Sequence, residues 1–305
     1  MSTPDNTATE KRDVYARVTD QIVTAIENGV GNWKMPWHTN GRFAFSPINV
    51  MSKKPYRGIN TICLWAAANA KGYERGEWAT YAQWQERGAQ VRKGEKSTTV
   101  VFWKFAHDSK ETDDGESPKS GSRLLFTRGY SVFNAAQVDG YTPATDADIA
   151  IIERIAHAEE FFHTIGADLR HGGNQAFYSP TSDHIQMPPF QAFAENIPYY
   201  STLAHEHTHW TARAGRCDRE LGKRFGDNAY AAEELIAELG AAFTCAHLGL
   251  STEPRADHAQ YIQSWLKVLK ADSKAIFTAA SKAQQATDWM IAQAGESISV
   301  AEVAA

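Results

Sequence analysis

Cysteine is scarce in this chain of 305 residues: Cys63, Cys217 and Cys245 are all there is, odd in number and far apart. They support no disulfide framework and no pair has zinc-finger spacing, which suits a reduced, cytoplasmic setting. Long apolar runs are missing as well. No stretch reaches the roughly eighteen residues that a membrane helix needs, so no transmembrane helix and no membrane association are expected. Residues 1–12 are polar and have no apolar core of the signal-peptide kind; they are expected to be disordered. Internal repeats and phosphate-cradling glycine loops are absent. What remains is enough chain for two domains with real cores.

The net charge of −5 hides an asymmetry. Residues 1–145 carry 19 Lys and Arg against 15 Asp and Glu, whereas residues 146–305 carry 12 against 21. Within 30–110 the count is 13 against 5, and six of the nine tryptophans fall there: Trp33, Trp37, Trp65, Trp78, Trp84 and Trp103. Cations can track phosphates while rings stack on unpaired bases, so the combination favours single-stranded over duplex nucleic acid. A tryptophan-rich core beneath a solvated basic face is the competing reading. The residues singled out for nucleic-acid contact are Lys34, Trp37, Lys53, Lys54, Tyr56, Arg57, Asn60 and Trp78.

His205-Glu206-His207-Thr208-His209 reads H-E-x-x-H. Pro198 precedes it, and Leu203, Ala204 and Trp210 give the segment an apolar component, as a helix start and body require. Residues four apart share a helical face, so His205 and His209 can offer two imidazole nitrogens to one Zn²⁺, with Glu206 beside it as general base. His207 points away from that pair. A catalytic zinc usually has a third protein ligand. The extended pattern with Gly and His at fixed later offsets is excluded, because Ala212 and Gly215 stand there. Downstream, 230–239 is rich in helix formers and carries Glu234 and Glu238 on one face. Glu234 is assigned to the metal and Glu238 to the free N–H of a ligand imidazole, with Glu233 as the rival ligand. Zn²⁺ suits two imidazoles and a carboxylate; Mn²⁺ or another divalent ion is an alternative.

Elsewhere, Val14, Val18, Ile22 and Ile26 mark an amphipathic helix ending at Asn28-Gly29, and a second helix starts near Gly58. Strands are expected over 98–105 and 123–133, with a polar excursion at 107–122 between them. Asp139-Gly140-Tyr141-Thr142-Pro143 marks the domain boundary. A helix follows at Ile151 to Phe162. Strands at 177–180 and 184–187 form a hairpin that either completes the core or offers an edge to an extended peptide. Two Ala-rich helices over 257–294 are expected to pack on the second domain.

Over nearly its whole length the chain resembles the ArdC-type antirestriction proteins of conjugative plasmids and related mobile elements. The carrying residues are Trp33-Lys34-Met35-Pro36-Trp37, Tyr56-Arg57-Gly58-Ile59-Asn60, Trp78-Ala79-Thr80-Tyr81 with Gln83-Trp84, Lys93-Gly94-Glu95, Val132-Phe133-Asn134, Tyr199-Tyr200, His205 to Trp210 and Glu233 to Leu239. His207 departs from the family, which more often has an apolar residue there. The resemblance implies an α+β fold in two domains. Residues 1–140 would form an α+β domain that binds single-stranded DNA, and 145–305 a mainly helical, zincin-like metallopeptidase domain with a small β-sheet. It implies protection of incoming DNA from host restriction, in a bacterial cytoplasm. The protein substrate, if any, would be DNA-associated or part of a restriction system. The alternative is a non-enzymatic DNA-binding protein whose metal site is structural or inactive.

Overall fold

The computed structural model describes residues 14–29, 47–73, 75–105, 124–142, 151–193, 196–221, 228–250 and 259–296. The expectations for 1–12, for Lys34 and Trp37, and for the excursion at 107–122 lie outside those residues.

Helix α1 (Val14–Gly29) turns Val18, Ile22 and Ile26 to the interior at a spacing of four. Strand β1 (Ile48–Asn49) and helix α2 (Ile59–Lys71) follow. Strand β2 (Glu77–Thr80) leads straight into the short α3 (Tyr81–Glu86), which Thr80 and Gln83 start with reciprocal side-chain-to-backbone hydrogen bonds. Strands β3 (Gln90–Val91), β4 (Thr98–Phe105), β5 (Leu124–Asn134) and β6 (Val138–Asp139) complete the first half. The main sheet has the order β1-β2-β5-β4, and β3 pairs with β6. β4 and β5 form a long antiparallel pair from Thr98↔Val132 to Phe105↔Leu124.

In the second half, α4 (Ile151–Ile165) precedes β7 (Asp168–His171), β8 (Phe177–Ser179) and β9 (His184–Met187). Their order is β7-β9-β8, with β7 parallel and β8 antiparallel to β9. The expected hairpin is therefore present, with an extra strand on its far side. Helices α5 (Asn196–Trp210), α6 (Asn228–His247), α7 (Ala259–Ala271) and α8 (Ala275–Gln293) make up the rest. The architecture is α+β with a mainly helical second half.

The two Ala-rich helices do more than expected. Ile22 and Ile26 of α1, Ile62 and Trp65 of α2 and Val101 of β4 share one buried cluster with Leu235 and Leu239 of α6, Trp265 of α7 and Phe277 of α8. Burial of each such side chain contributes about 1.5–3 kcal/mol. Polar bonds lock the same seam. Thr19 Oγ1 donates to the Ser273 carbonyl at 2.6 Å, Lys270 Nζ meets the Glu27 carboxylate at 2.6 Å, and the Gly58 amide donates to Gln284 Oε1 at 3.0 Å. The tail thus packs on both halves, and the core continues across the chain position read as the boundary.

Candidate metal centre

Helices α5 and α6 lie side by side, and a glycine sets how closely. A Cβ on Gly240 of α6 would come within 2.5 Å of the Thr208 side chain on α5. Thr208 itself is tied back to its own helix, its hydroxyl donating to the Ala204 carbonyl at 2.9 Å. The close approach lets side chains one turn apart on each helix meet.

His205 and His209 turn their Nε2 atoms toward each other at 3.1 Å. Glu234 lies 3.6 Å from each of these nitrogens, one carboxylate oxygen per imidazole. One ligand atom from each of the three falls within 4.8 Å of the others. Donors held tetrahedrally around an ion at about 2.0–2.2 Å are themselves separated by about 3.3–3.6 Å. The three donors therefore fit a divalent ion. Glu206, one residue from His205 in the chain, is buried as well.

The far nitrogens of both rings face carboxylates. His205 Nδ1 is 3.7 Å from Glu238, and His209 Nδ1 is 3.4 Å from Glu233. Glu234 thus faces the converging nitrogens, and Glu233 the back of His209. Burial pushes the Glu234 carboxyl up, but the hydrogen bond from His205, the His209 and His205 charges and the Tyr230 hydroxyl outweigh it and hold it at about 2. Burial likewise opposes ionisation of Glu233, and His209 and Arg219 overcome it, lowering its pKa.

Arg219 is the residue that sequence reading missed. Its side chain is buried in the segment after α5, and one edge of the guanidinium, Nη2 and Nε, donates to the two carboxylate oxygens of Glu233 at 2.8 and 3.2 Å. It also donates to Thr211 Oγ1 at 2.9 Å and to the Thr208 carbonyl at 2.6 Å. No spacing rule links residue 219 to a helix that begins nine positions later. Gly240, by contrast, stood in a run of strong helix formers, where a glycine signals close packing. His207 is buried against Phe162, with ring centroids 4.7 Å apart, and its Nδ1 bonds the Leu203 carbonyl at 2.8 Å. Burial is the main cause that lowers its pKa to about 4, so the ring is neutral and packs as part of the core.

The hairpin flanks α5. Asp183, in the β8–β9 turn, accepts hydrogen bonds from Arg216, from Arg213 at 2.9 Å and from the Tyr178 hydroxyl at 3.0 Å. Arg216 in turn stacks 3.6 Å over the Trp210 ring at the end of α5. β8 is the edge strand on that side of the sheet.

The residues expected to contact nucleic acid fare differently. Tyr56, Asn60 and Trp78 are fully buried and present no face to a ligand. Asn60 exchanges two hydrogen bonds with Val101 of β4, at 2.8 and 2.7 Å. Arg57 is buried in an ion pair with Asp288 of α8, where it fastens the first half to the tail. The physical reason is common to all four: aromatic, amide and cationic groups that can satisfy their polar atoms internally are as useful in a core as on a surface. Lys53 is exposed and Lys54 half-buried.

The fold and the paired helices define a zincin-like protein. Residues 156–282 match the family model of zincin-like metallopeptidases, and residues 12–133 that of the N-terminal domain of anti-restriction factor ArdC. The metal-free crystal structure of the antirestriction ArdC protein from plasmid R388 is 40% identical, covers 93% of this chain and 98% of its own, and has a TM-score of 0.74. Its Mn(II)-bound form is similar at a TM-score of 0.72, 41% identity, and 92% and 98% coverage. Protein y4eC of Sinorhizobium fredii, described as uncharacterized, is 52% identical over 95% of both chains. An Escherichia coli DNA primase TraC is 35% identical over 92% of this chain, which spans 27% of the primase. The chain belongs to the ArdC family of antirestriction proteins. Among the described residues no helix is long and apolar enough to cross a membrane.

Proposed function

We propose that this protein protects incoming DNA from restriction by binding it as a single strand through its N-terminal half and by cleaving a protein at the centre between α5 and α6. The observation that carries the catalytic part is the convergence of His205, His209 and Glu234 within 4.8 Å, with Glu206, the residue after His205, also buried. Those three residues would hold Zn²⁺, with Mn²⁺ an alternative that a carboxylate-containing donor set tolerates. The ion, when bound, would supply Lewis-acid polarisation of a peptide carbonyl and acidify water. Glu206 accepts the proton from the attacking water and passes it to the leaving amine. Glu238 and Glu233 orient the two imidazoles. An extended peptide would add to the β8 edge, beside α5. The substrate would be a DNA-associated or restriction-system protein in the cytoplasm.

The basic balance of residues 30–110 supports the DNA part, as does similarity to primases that act on DNA. A competing reading, DNA binding with a structural or inactive metal site, draws on the burial of His205, Glu206 and Glu234, since a closed site suits a structural ion.

One experiment separates the two. Glu206→Gln should keep the metal and lower hydrolysis by about 10²- to 10⁴-fold, the usual worth of a general base. Transfer of a plasmid into a restricting host is then scored for wild type and Glu206→Gln. Loss of protection in the variant supports the peptidase; full protection leaves binding alone as the working activity.

A further inference from the structure

Outside the metal centre, a groove of about 550 Å³ lies between α1 and α2. Ligand sites occupy about 300–1,000 Å³. Ala66, Ala67 and Ala70 on the α2 side leave it wide. Three cations line it: Arg17 on α1, Lys71 at the end of α2, and Lys96 just before β4. One acid, Asp20, accompanies them. None of the three cations is in an ion pair among the described residues. Arg17 Nε is buried without a hydrogen-bond partner. Lys71 Nζ reaches the Lys96 carbonyl at 3.3 Å, and both lysines stand exposed.

Gly129 makes this placement of Arg17 feasible. A Cβ there would lie 2.9 Å from Arg17 Nη2 and 3.2 Å from the Thr99 side chain. The guanidinium therefore lies across β5 where a side chain would otherwise stand. A buried guanidinium N–H without an acceptor is costly, which points to an anionic ligand that supplies one.

We infer that the α1–α2 groove binds the sugar-phosphate backbone of single-stranded DNA, with Arg17, Lys71 and Lys96 as its phosphate contacts. The proposal rests on the single-strand reading above and gives it a location, after Tyr56, Arg57, Asn60 and Trp78 proved to be interior. The groove lining has no aromatic ring to stack on a base, so recognition is by phosphate and independent of sequence.

The test uses the full chain and a fluorescent twenty-residue oligodeoxythymidine, with anisotropy read across a range of salt concentrations. Arg17→Gln/Lys71→Gln/Lys96→Gln should weaken binding on the order of tenfold or more at low salt. It should also flatten the log–log salt dependence by about 2, at about 0.7 per single-strand phosphate contact. Lys267→Gln, an exposed lysine on α7, should change neither. Ala70→Glu, which adds a carboxylate at an exposed position in the groove, should reproduce the loss without removing a cation. Circular dichroism checks the fold of each variant. If wild type binds and the triple variant and Ala70→Glu bind equally well, the groove is overturned while the single-strand reading survives. If wild type does not bind the oligonucleotide, the single-strand reading itself fails. Full displacement of the oligonucleotide by millimolar inorganic phosphate at constant ionic strength would also overturn the proposal, making free phosphate the ligand.

Discussion

Arg219 shows how much of a metal centre can rest on a side chain that touches no metal. Its guanidinium holds Glu233, which faces the rear nitrogen of His209. Three buried carboxylates, Glu233, Glu234 and Glu238, face two imidazoles, and the buried Arg219 side chain pairs with the first of them. Arg219→Met strands the Glu233 charge, and breaking a buried pair from one side costs about 3–5 kcal/mol. Thermal unfolding should show that loss, and metal titration calorimetry should show weaker binding; unchanged affinity would mean that Glu233 keeps its aim unaided. Asp183 is a milder case. Burial pushes its carboxyl up, but bonds from Tyr178, Arg216 and Arg213 outweigh it and hold it below its usual range. A carboxyl with a depressed folded pKa stabilises above its unfolded value and loses that contribution as the pH falls through the folded one. Asp183→Asn should therefore lower stability at pH 7 by no more than about 1 kcal/mol, because the group is partly exposed. The gap between variant and wild type should close as the pH drops below about 4. Equal melting curves at pH 7 would show that the hairpin is held by packing alone. That His205 and His209 meet, and that Glu234 and Glu238 share a face, was legible in the sequence because a period of 3.6 residues fixes which positions lie together. Arg219 was not, because a residue in a loop reaches its partner by a path that no local period encodes.

At the scale of elements, α5 and α6 are a matched pair whose spacing is set by Gly240 against Thr208. Gly240→Ala adds a methyl where there is no room, and overpacking of this kind costs about 1–3 kcal/mol. Moving the helices apart also moves Glu234 from His205 and His209. Metal affinity should fall together with melting temperature; a drop in stability with affinity intact would mean that the centre adjusts to the strain. Helices α1, α2 and α4 were readable from their apolar positions and α7 and α8 from their alanine content, and strands β4 and β5 were readable as well. Strand β7 was not, since its partner in the sheet, β9, is parallel and comes more than ten residues later. β1, β3 and β6 have two residues each, too short for an alternation to register. The buried tryptophans carry the same lesson. Composition placed Trp78 near cations but could not say that it would face inward from β2.

For the whole molecule, the shared core is the feature that sequence could least reveal. An apolar stripe says that a face is buried, not against what. Residues 1–140 alone would expose the sides of α1, α2 and β4 that now meet α6, α7 and α8. That fragment is expected to aggregate or lack cooperative unfolding, and Arg57→Ala in the full chain should destabilise by about 2 kcal/mol, the worth of a charged hydrogen bond. A 1–140 fragment with a sharp melting transition would instead establish it as an independent domain.

The bond from Thr19 to Ser273 spans 254 positions. At synthesis rates of about 5–20 residues per second, α1 waits on the order of 10–50 seconds on the ribosome before its final neighbours emerge. Contacts between such distant stretches form late and slowly. A chain broken off before α7 would leave α1, one wall of the basic groove, with only α2 and the sheet to pack on. The ability to hold DNA would then be a property that a nascent chain acquires at the very end of its synthesis.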